Sequence, residues 1–417
     1  MNKARKKVKP GQEMISFEQA CQLIWQHSST LGSETILTRQ AVGRVLAEAI
    51  KSPLALPPFA KSAMDGYAVR LSGKEKYPLQ LEVVGIAPAG ISQPGFKLAA
   101  GQACKIMTGA ALPKGANTVV RIEDVKTEGK TITVKQTLTK GMNVCARGED
   151  VKQGALVLPL GQFLRPVEIG ILASLGISKV KVYRQPTIAL LSTGDELVNP
   201  SVEPLPGQIR DTNRPLLLSY LTQRGLVCQD LGIAKDNQRS ISEKIAKGLK
   251  ADILLISGGV SMGDYDLVPQ VLSSSGVQQV FHKVQVKPGK PLWFGIRGQT
   301  LVFGLPGNPV SSLLGVRLYV QTALEKISAI RPPARFPGLE LLGFQEGKLA
   351  VALRKKKSRL SFLPVWAELG SDGYRLTPVK YNGSADLTAL ARANGFVMLE
   401  GEREEYEEGD EVIFILL

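Results

Sequence analysis

Residues 253–266 read ILLISGGVSMGDYD, an apolar run that ends in three glycines and two aspartates. Four consecutive large aliphatic residues are what a strand covered on both faces presents, and such strands belong to parallel sheets flanked by helices. The flanking sequence repeats the pattern. TIALLS (187–192) is followed by a predicted helix from about Arg214 to Arg224, with Gly225 at its end. LVCQDLGIA (226–234) is followed by one near 239–250, and DILLIS (252–257) by one near 266–274. A last helix starts at Asn308-Pro309, an N-cap and an N1 proline, and runs to about Ser328. Strands alternating with helices predict a doubly wound, mostly parallel α/β domain.

The rest of the chain is built differently. SFEQACQLIWQ places Gln19 three residues after Ser16, the capping-box spacing that opens a helix. A second amphipathic stretch, about 39–50, reads as helical up to Ser52-Pro53, and LALPPFAKSAMDGYAV (54–69) is too rich in proline to continue it. Residues 79–145 read as β structure, with LQLEVVGI, QACKIM, NTVVRIEDV and TITVKQTL between glycine turns. After Arg331-Pro332-Pro333 short strands return, with one helix at 386–393. A chain of 417 residues exceeds what one core of about 250–300 residues holds. The expected division is a disordered basic tail at 1–14, an N-terminal domain from 15–54 and 150–184, and an inserted β domain at 55–149. The α/β domain follows at 185–330, and a C-terminal β-rich domain at 331–417.

Composition narrows the function. No apolar run approaches the ~20 residues that cross a bilayer, and no apolar segment of a secretory signal follows the basic MNKARKKVKP, so a soluble chain is expected. Cys21, Cys104, Cys145 and Cys228 are scattered, with only His27 and His282 to join them. That pattern gives neither a zinc site nor a disulfide framework and fits a reducing cytoplasm. A formal charge of +15 points to an anionic partner. Aromatic residues make up only 6% and do not interleave with basic ones, which disfavours nucleic acid against a small anionic ligand.

Open α/β sheets bind ligands beyond the carboxyl ends of their strands. STGDE (192–196), AKDN (234–237), SGGVSMGDYD (257–266) and GLPGNP (304–309) are the turns at that edge. Glycines admit close approach of backbone amides to an anion, and a helix N-terminus adds partial positive charge. Glu196, Asp236 and Asp266 on one rim need a cation; Lys287 and Lys290 in VKPGKP, or a divalent metal, would supply it. The set suits a phosphate or oxyanion held with Mg²⁺. Each residue also has a plain structural reading: Asp266 as an N-cap, Asp195 and Asp236 as turn residues, Lys287 and Lys290 as solvated charge, His282 as a hydrogen-bonded core histidine. Walker and G-x-G-x-x-G motifs are absent from these turns.

Eight motifs, PPFAKSAMDGYAV, KIMTGAALPKGANTVV, RGED, LLSTGDELV, DTNRPLL, ISGGVSMGDYD, VKPGKP and GLPGNPVS, occur in the order found in the molybdopterin molybdenumtransferase family, which includes bacterial MoeA proteins and the gephyrin E domain. From about residue 15 onward the chain resembles that family. The resemblance implies a four-domain cytoplasmic subunit, with an α/β domain of molybdopterin-binding type, an elongated N-terminal domain, an inserted β module and a C-terminal β-rich domain. It implies a homodimer whose cleft lies between the α/β domain of one subunit and the N-terminal and β modules of its partner. The implied reaction is insertion of molybdate into adenylylated molybdopterin with release of AMP, assisted by Mg²⁺, with the molybdopterin adenylyltransferase as a candidate partner. The substrate's dithiolene sulfurs would capture the metal, so the protein needs no cysteine cluster.

The resemblance assigns catalytic roles to Asp65, Asp150, Glu196, Asp236 and Asp266, with Glu196 and Asp266 holding the metal. Thr108, Gly258, Gly259, Ser261, Lys287, Lys290, Pro306, Asn308, Arg359 and Ser384 would bind substrate. Ala60 and Asn117 stand where relatives often carry aspartate, GSADL replaces GSGML, and RKKKSRLSF keeps Arg359 but not the residues that often follow it. Two other readings are an adenylyltransferase, which normally stands as a single small domain without the N-terminal motifs, and a scaffold, which would not need three carboxylates on one rim.

Overall fold

The computed structural model describes residues 14–90, 97–260, 267–330 and 343–417. All but one residue of the expected 1–14 tail, together with Ser261 and Asp266, therefore lie outside the described residues. The chain forms two compact units. One comprises the residues up to Ile36, Ala41–Ala47 and Lys181–Leu417; the other comprises Leu37–Gln40 and Glu48–Val180.

Helix α1 (Phe17–His27) begins with the capping box read from the sequence: the Gln19 amide donates to Ser16 Oγ at 3.1 Å, and the Ser16 amide to Gln19 Oε1 at 2.9 Å. The helix expected over 39–50 is not formed. Only Thr38–Gln40 makes a short 3₁₀ turn. Ala41, Val45, Leu46 and Ile50 are buried at a helix-like spacing, but Gly43 takes φ +79°, and the backbone of 45–47 instead pairs with Lys181–Tyr183. Spacing alone could not separate the two outcomes.

The second unit holds a six-stranded sheet built from β1 (Gly66–Val69), β2 (Leu79–Ala87), β3 (Gln102–Ile106), β4 (Thr118–Arg121), β5 (Val125–Glu128) and β6 (Thr131–Val134). Its order is β4-β1-β3-β2-β6-β5. The proline-rich stretch at 54–69 thus ends in a central, fully buried strand. α2 (Pro166–Ser174), which the sequence reading did not anticipate, follows in the same unit.

In the first unit a six-stranded sheet has the order β8-β7-β9-β13-β12-β10, from β7 (Ile188–Thr193), β8 (Cys228–Ala234), β9 (Ile253–Ser257), β10 (Gln278–His282), β12 (Trp293–Arg297) and β13 (Thr300–Leu305). β8, β7, β9 and β13 are parallel, and β12 and β10 continue the sheet antiparallel. Ile253, Leu254, Leu255 and Ile256 are completely buried, each adding about 2 kcal/mol of apolar burial. α3 (Asn213–Gln223), α4 (Gln238–Gly248) and α5 (Leu267–Ser274) follow β7, β8 and β9 as the sequence indicates. The last helix of the domain runs as α6 (Pro309–Gly315), a π segment at Val316–Val320, and α7 (Gln321–Ile327).

The C-terminal strands are β14 (Gln345–Leu349), β15 (Leu360–Gly370), β16 (Gly373–Pro378), β17 (Gly395–Leu399) and β18 (Glu411–Leu416). They run β15-β16-β14-β18-β17, and β17 pairs back to β15, closing a barrel. The expected helix at 386–393 shrinks to the single turn α8 (Leu387–Leu390), capped by Asp386. A two-residue strand of the α/β region, β11 (Val286–Lys287), adds parallel to β15. One hydrophobic cluster joins α1, a face of the α/β sheet and part of the C-terminal strands: Phe17 meets Tyr319 and Phe362 edge-on at 5.9 and 5.8 Å.

Candidate functional site

The order of the α/β sheet reverses at β7, because β8 lies on one side of it and β9 on the other. This topological switch leaves a crevice beyond the strand ends. A cavity of about 640 Å³ opens there, lined by Ser192 and Thr193 at the end of β7, Ser257 at the end of β9 with Gly258 and Gly259 after it, and Pro306, Gly307 and Asn308 after β13. Glu196 and Asp236 line it as well, so two of the three expected carboxylates share one cavity.

The glycines of the turn have a packing reason. Gly258 and Gly259 take φ +90° and +64°, and a Cβ on either would come within 2.7 Å of Thr193 atoms. The Gly258 amide donates to Leu305 O at 3.1 Å and the Gly194 amide to Ala234 O at 3.2 Å, so neither is free to hold an anion. Asp236 also carries a structural duty: its carboxylate accepts from the Asp195 amide at 3.2 Å while the Asp236 amide donates to Asp195 Oδ1 at 3.1 Å. Glu196 differs. Its carboxylate folds over Gly194, where a Cβ would fall 2.5 Å from Oε2. A bare glycine therefore leaves the carboxylate its place in the cavity.

Three polar atoms missed by the sequence reading belong to this cavity. Ser192 Oγ, Thr193 Oγ1 and Asn213 Oδ1 are buried without a hydrogen-bond partner. Buried orphans of this kind are rare, and three of them beside one cavity ask for a partner that a ligand or an ordered water could supply. Asn213 is held in place: its Nδ2 donates to Ser257 Oγ at 2.8 Å and to Gly307 O at 2.6 Å, which leaves Oδ1 without a partner. The DTNRPLL motif also supplies Asp211 and Arg214, a buried ion pair at 2.9 Å that Asp230 and Asn199 extend.

A second cavity of about 510 Å³ shares Pro291, Pro306, Gly307 and Asn308 with the first and is lined further by Lys287, Lys290, Arg359, Tyr381 and Ser384. Pairing of β11 with β15 sets Lys287 opposite Ser361, two residues from Arg359. Asn308 Nδ2 donates to Ser384 Oγ at 2.7 Å, and the Val310 amide to Ser384 O at 3.2 Å, joining the start of α6 to the C-terminal region. Arg359 Nη1 and Tyr381 Oη are buried without partners. Tyr381 carried no signal in the sequence, because only the closed fold shows its hydroxyl to be orphaned.

The second unit brings Asp65 and Thr108 together. Asp65 Oδ1 accepts from the Thr108 amide at 2.6 Å and from its hydroxyl at 2.9 Å, which holds the Asp65 carboxyl below its usual range. Asp150 is exposed, and its amide donates to Leu56 O at 3.0 Å. Among the described residues no three His, Cys, Asp or Glu side chains gather as a metal site, and the four cysteines are free thiols. His282 is buried, with Nε2 3.0 Å from Val260 O, a structural histidine.

An open α/β sheet with a polar crevice at its switch point, next to a cation-lined cavity, is the architecture of a ligand-binding α/β domain. Residues 15–176 match the MoeA N-terminal region (domain I and II), 189–326 the probable molybdopterin binding domain, and 346–417 the MoeA C-terminal region (domain IV). The chain is 36% identical to a molybdopterin molybdenumtransferase of Haemophilus influenzae over 96% of this chain and 98% of the relative. It is 40% identical to one of Nostoc over 70% and 68%. A solved moeA molybdopterin biosynthesis protein from Pyrococcus horikoshii superposes with a TM-score of 0.81 at 31% identity, covering 97% of this chain and all of that one. The chain belongs to the molybdopterin molybdenumtransferase family and is a transferase with the MoeA fold.

Proposed function

We propose that this chain inserts molybdate into adenylylated molybdopterin and releases AMP, working as a cytoplasmic homodimer. The observation that carries the reading is the pair of contiguous cavities, one polar and rimmed by carboxylates, the other walled by Lys287, Lys290 and Arg359, with Asn308 in their common wall. An organic anion in the first and an oxyanion in the second would meet across Asn308 and Pro306, and holding two reactants side by side removes much of an association barrier.

In the first cavity Ser192, Thr193 and Asn213 are suited to bind a pterin, whose ring edge presents both donors and acceptors. Gly258 and Gly259 would let the phosphate approach their loop closely, and Ser261, outside the described residues, would bind it. Glu196 and Asp266 would hold Mg²⁺, an ion content with one or two carboxylates plus substrate phosphates, and when bound it neutralises phosphate charge. Glu196 folded over Gly194 fits that demand. In the second cavity Lys287, Lys290 and Arg359 would hold molybdate by charge-assisted hydrogen bonds, with Ser384 fixing Asn308 between the two substrates. Asp236 would keep the STGDE turn in place through Asp195. Asp65, Thr108 and Asp150 would act on the cleft of the partner copy. Leu156, Leu160, Phe163 and Val167, all exposed on the second unit, are apolar surface that a second copy would cover.

The test is AMP release from adenylylated molybdopterin by the purified chain, with and without molybdate and Mg²⁺. Release that needs both, and that Asp266→Ala abolishes while circular dichroism stays unchanged, is the expected result. Tight binding without release in the wild-type chain would overturn the reading in favour of a carrier.

A further inference from the structure

The cation-lined cavity is dominated by donors. Lys287, Lys290 and Arg359 can only donate, no Asp or Glu is among the described residues that line it, and the side-chain acceptors there are the neutral oxygens of Asn308, Ser311, Ser384 and Tyr381. Ser384 Oγ accepts from Asn308 Nδ2 at 2.7 Å, which directs its own proton elsewhere. Tyr381 Oη is buried in the wall with no partner, so that wall offers its proton no acceptor. The carboxylate that acts on it electrostatically, Asp386, is already spent on the Asn382 amide at 3.1 Å, the Ala389 amide at 3.2 Å and the Thr388 hydroxyl at 2.6 Å. Burial pushes the Tyr381 phenol up to about 12, and it stays a neutral donor at any working pH.

We propose that Tyr381 is a specificity-determining residue of the oxyanion cavity, favouring a tetrahedral dianion that carries no proton over hydrogen phosphate. The proposal rests on the reading of this cavity as the oxyanion site. Molybdate, tungstate and sulfate present four acceptor oxygens at neutral pH; hydrogen phosphate presents three and one hydroxyl. Lysine and arginine cannot turn their protons away, so the phosphate hydroxyl is driven toward the neutral side of the cavity. A hydroxyl turned toward Tyr381 makes the phenol accept and turn its own proton back into the wall, leaving a buried donor unsatisfied, and one turned toward Asn308 or Ser311 leaves the Tyr381 proton one phosphate acceptor fewer. An unprotonated dianion takes the Tyr381 proton directly and satisfies it.

The full-length chain would be titrated calorimetrically with molybdate, sulfate and inorganic phosphate at pH 8, where phosphate is mostly the dianion and the charges match. The wild-type chain is expected to bind phosphate at least about tenfold more weakly than molybdate, the scale of one unmade buried hydrogen bond. Tyr381→Phe removes one oxygen atom and keeps the ring. It is expected to weaken molybdate and sulfate about tenfold while changing phosphate little, which brings the anions to within about threefold of one another. An unchanged ratio of molybdate to phosphate in Tyr381→Phe overturns the proposal. Lys290→Ala separates it from the reading beneath it: undiminished molybdate binding in that variant removes the oxyanion from this cavity altogether. Loss of binding in Lys290→Ala beside an unaltered Tyr381→Phe leaves the oxyanion site standing and removes Tyr381 alone.

Discussion

Replacing Glu325 by glutamine should stabilise the helix pair α1–α7 in alkaline solution and do nothing in acid. Glu325 is 7% exposed, and burial lifts its carboxyl from 4.5 to about 7, against the lowering effects of a hydrogen bond from Gln321 and the charge of Arg317. Its Oε1 accepts from Gln321 Nε2 at 3.0 Å, whereas Oε2 has no partner. On α1 the titratable neighbour is Cys21, buried and itself pushed up to about 12. The folded form holds its proton more tightly than the unfolded form. Stability is therefore complete below about pH 4.5 and declines as pH rises through 7, by about 3 kcal/mol for a shift of this size. Glutamine keeps the Gln321 contact and never ionises. Amide hydrogen exchange of Gln321–Ile327, corrected for intrinsic rates, should show equal protection in the two proteins at about pH 3.5, below the unfolded value. At pH 8.5 the glutamine variant should be protected about 100-fold more, the factor that ~3 kcal/mol represents. A ratio near one across the whole range would mean that Glu325 ionises without cost, and that the charge of Arg317 outweighs burial.

Gly66 lies where β1 passes β4, and a Cβ there would fall 1.8 Å from the Val120 carbonyl oxygen. Gly66→Ala should cost roughly 3 kcal/mol or more and expose the second unit to limited proteolysis that spares the first. Arg214→Ala leaves Asp211, with its side chain 1% exposed, buried without its cation. The expected loss of about 3–5 kcal/mol should appear as a lower urea midpoint for the α/β domain, and restoring wild-type stability by adding Asp211→Asn would confirm the uncompensated charge as its source.

How far the sequence could be read depended on where each signal resides. β7 and β9 were legible because IALLS (188–192) and ILLIS (253–257) are buried on both faces, and α1 because Ser16 and Gln19 cap one another within four residues. α2 was not. Its residues PVEIGILAS show no apolar face, and its start is fixed by Arg165 and Glu168 embracing at 2.6 Å, a pairing that a short-range pattern does not announce. The 39–50 stretch misled in the other direction, since Ala41, Val45 and Leu46 keep a helix-like spacing while their backbone pairs with residues 140 positions or so away. In the site, Glu196, Lys287 and Arg359 were found through motifs. Ser192, Thr193, Asn213 and Tyr381 were not, because an orphaned polar atom exists only once the surrounding chain has closed over it.

The hydrogen bonds from the start of α6 to Ser384 and the addition of β11 to the barrel mean that the C-terminal region does not hang from the α/β domain as a separable appendage. Arg359, Tyr381 and Ser384 all travel with that region, whereas Lys287, Lys290 and Asn308 stay with the sheet. Swapping the segment after residue 343 between relatives would therefore exchange one wall of the cation-lined cavity as one inherited block. Anion preference in such a chimaera would follow the donor of that block, even though the crevice at the strand ends is untouched.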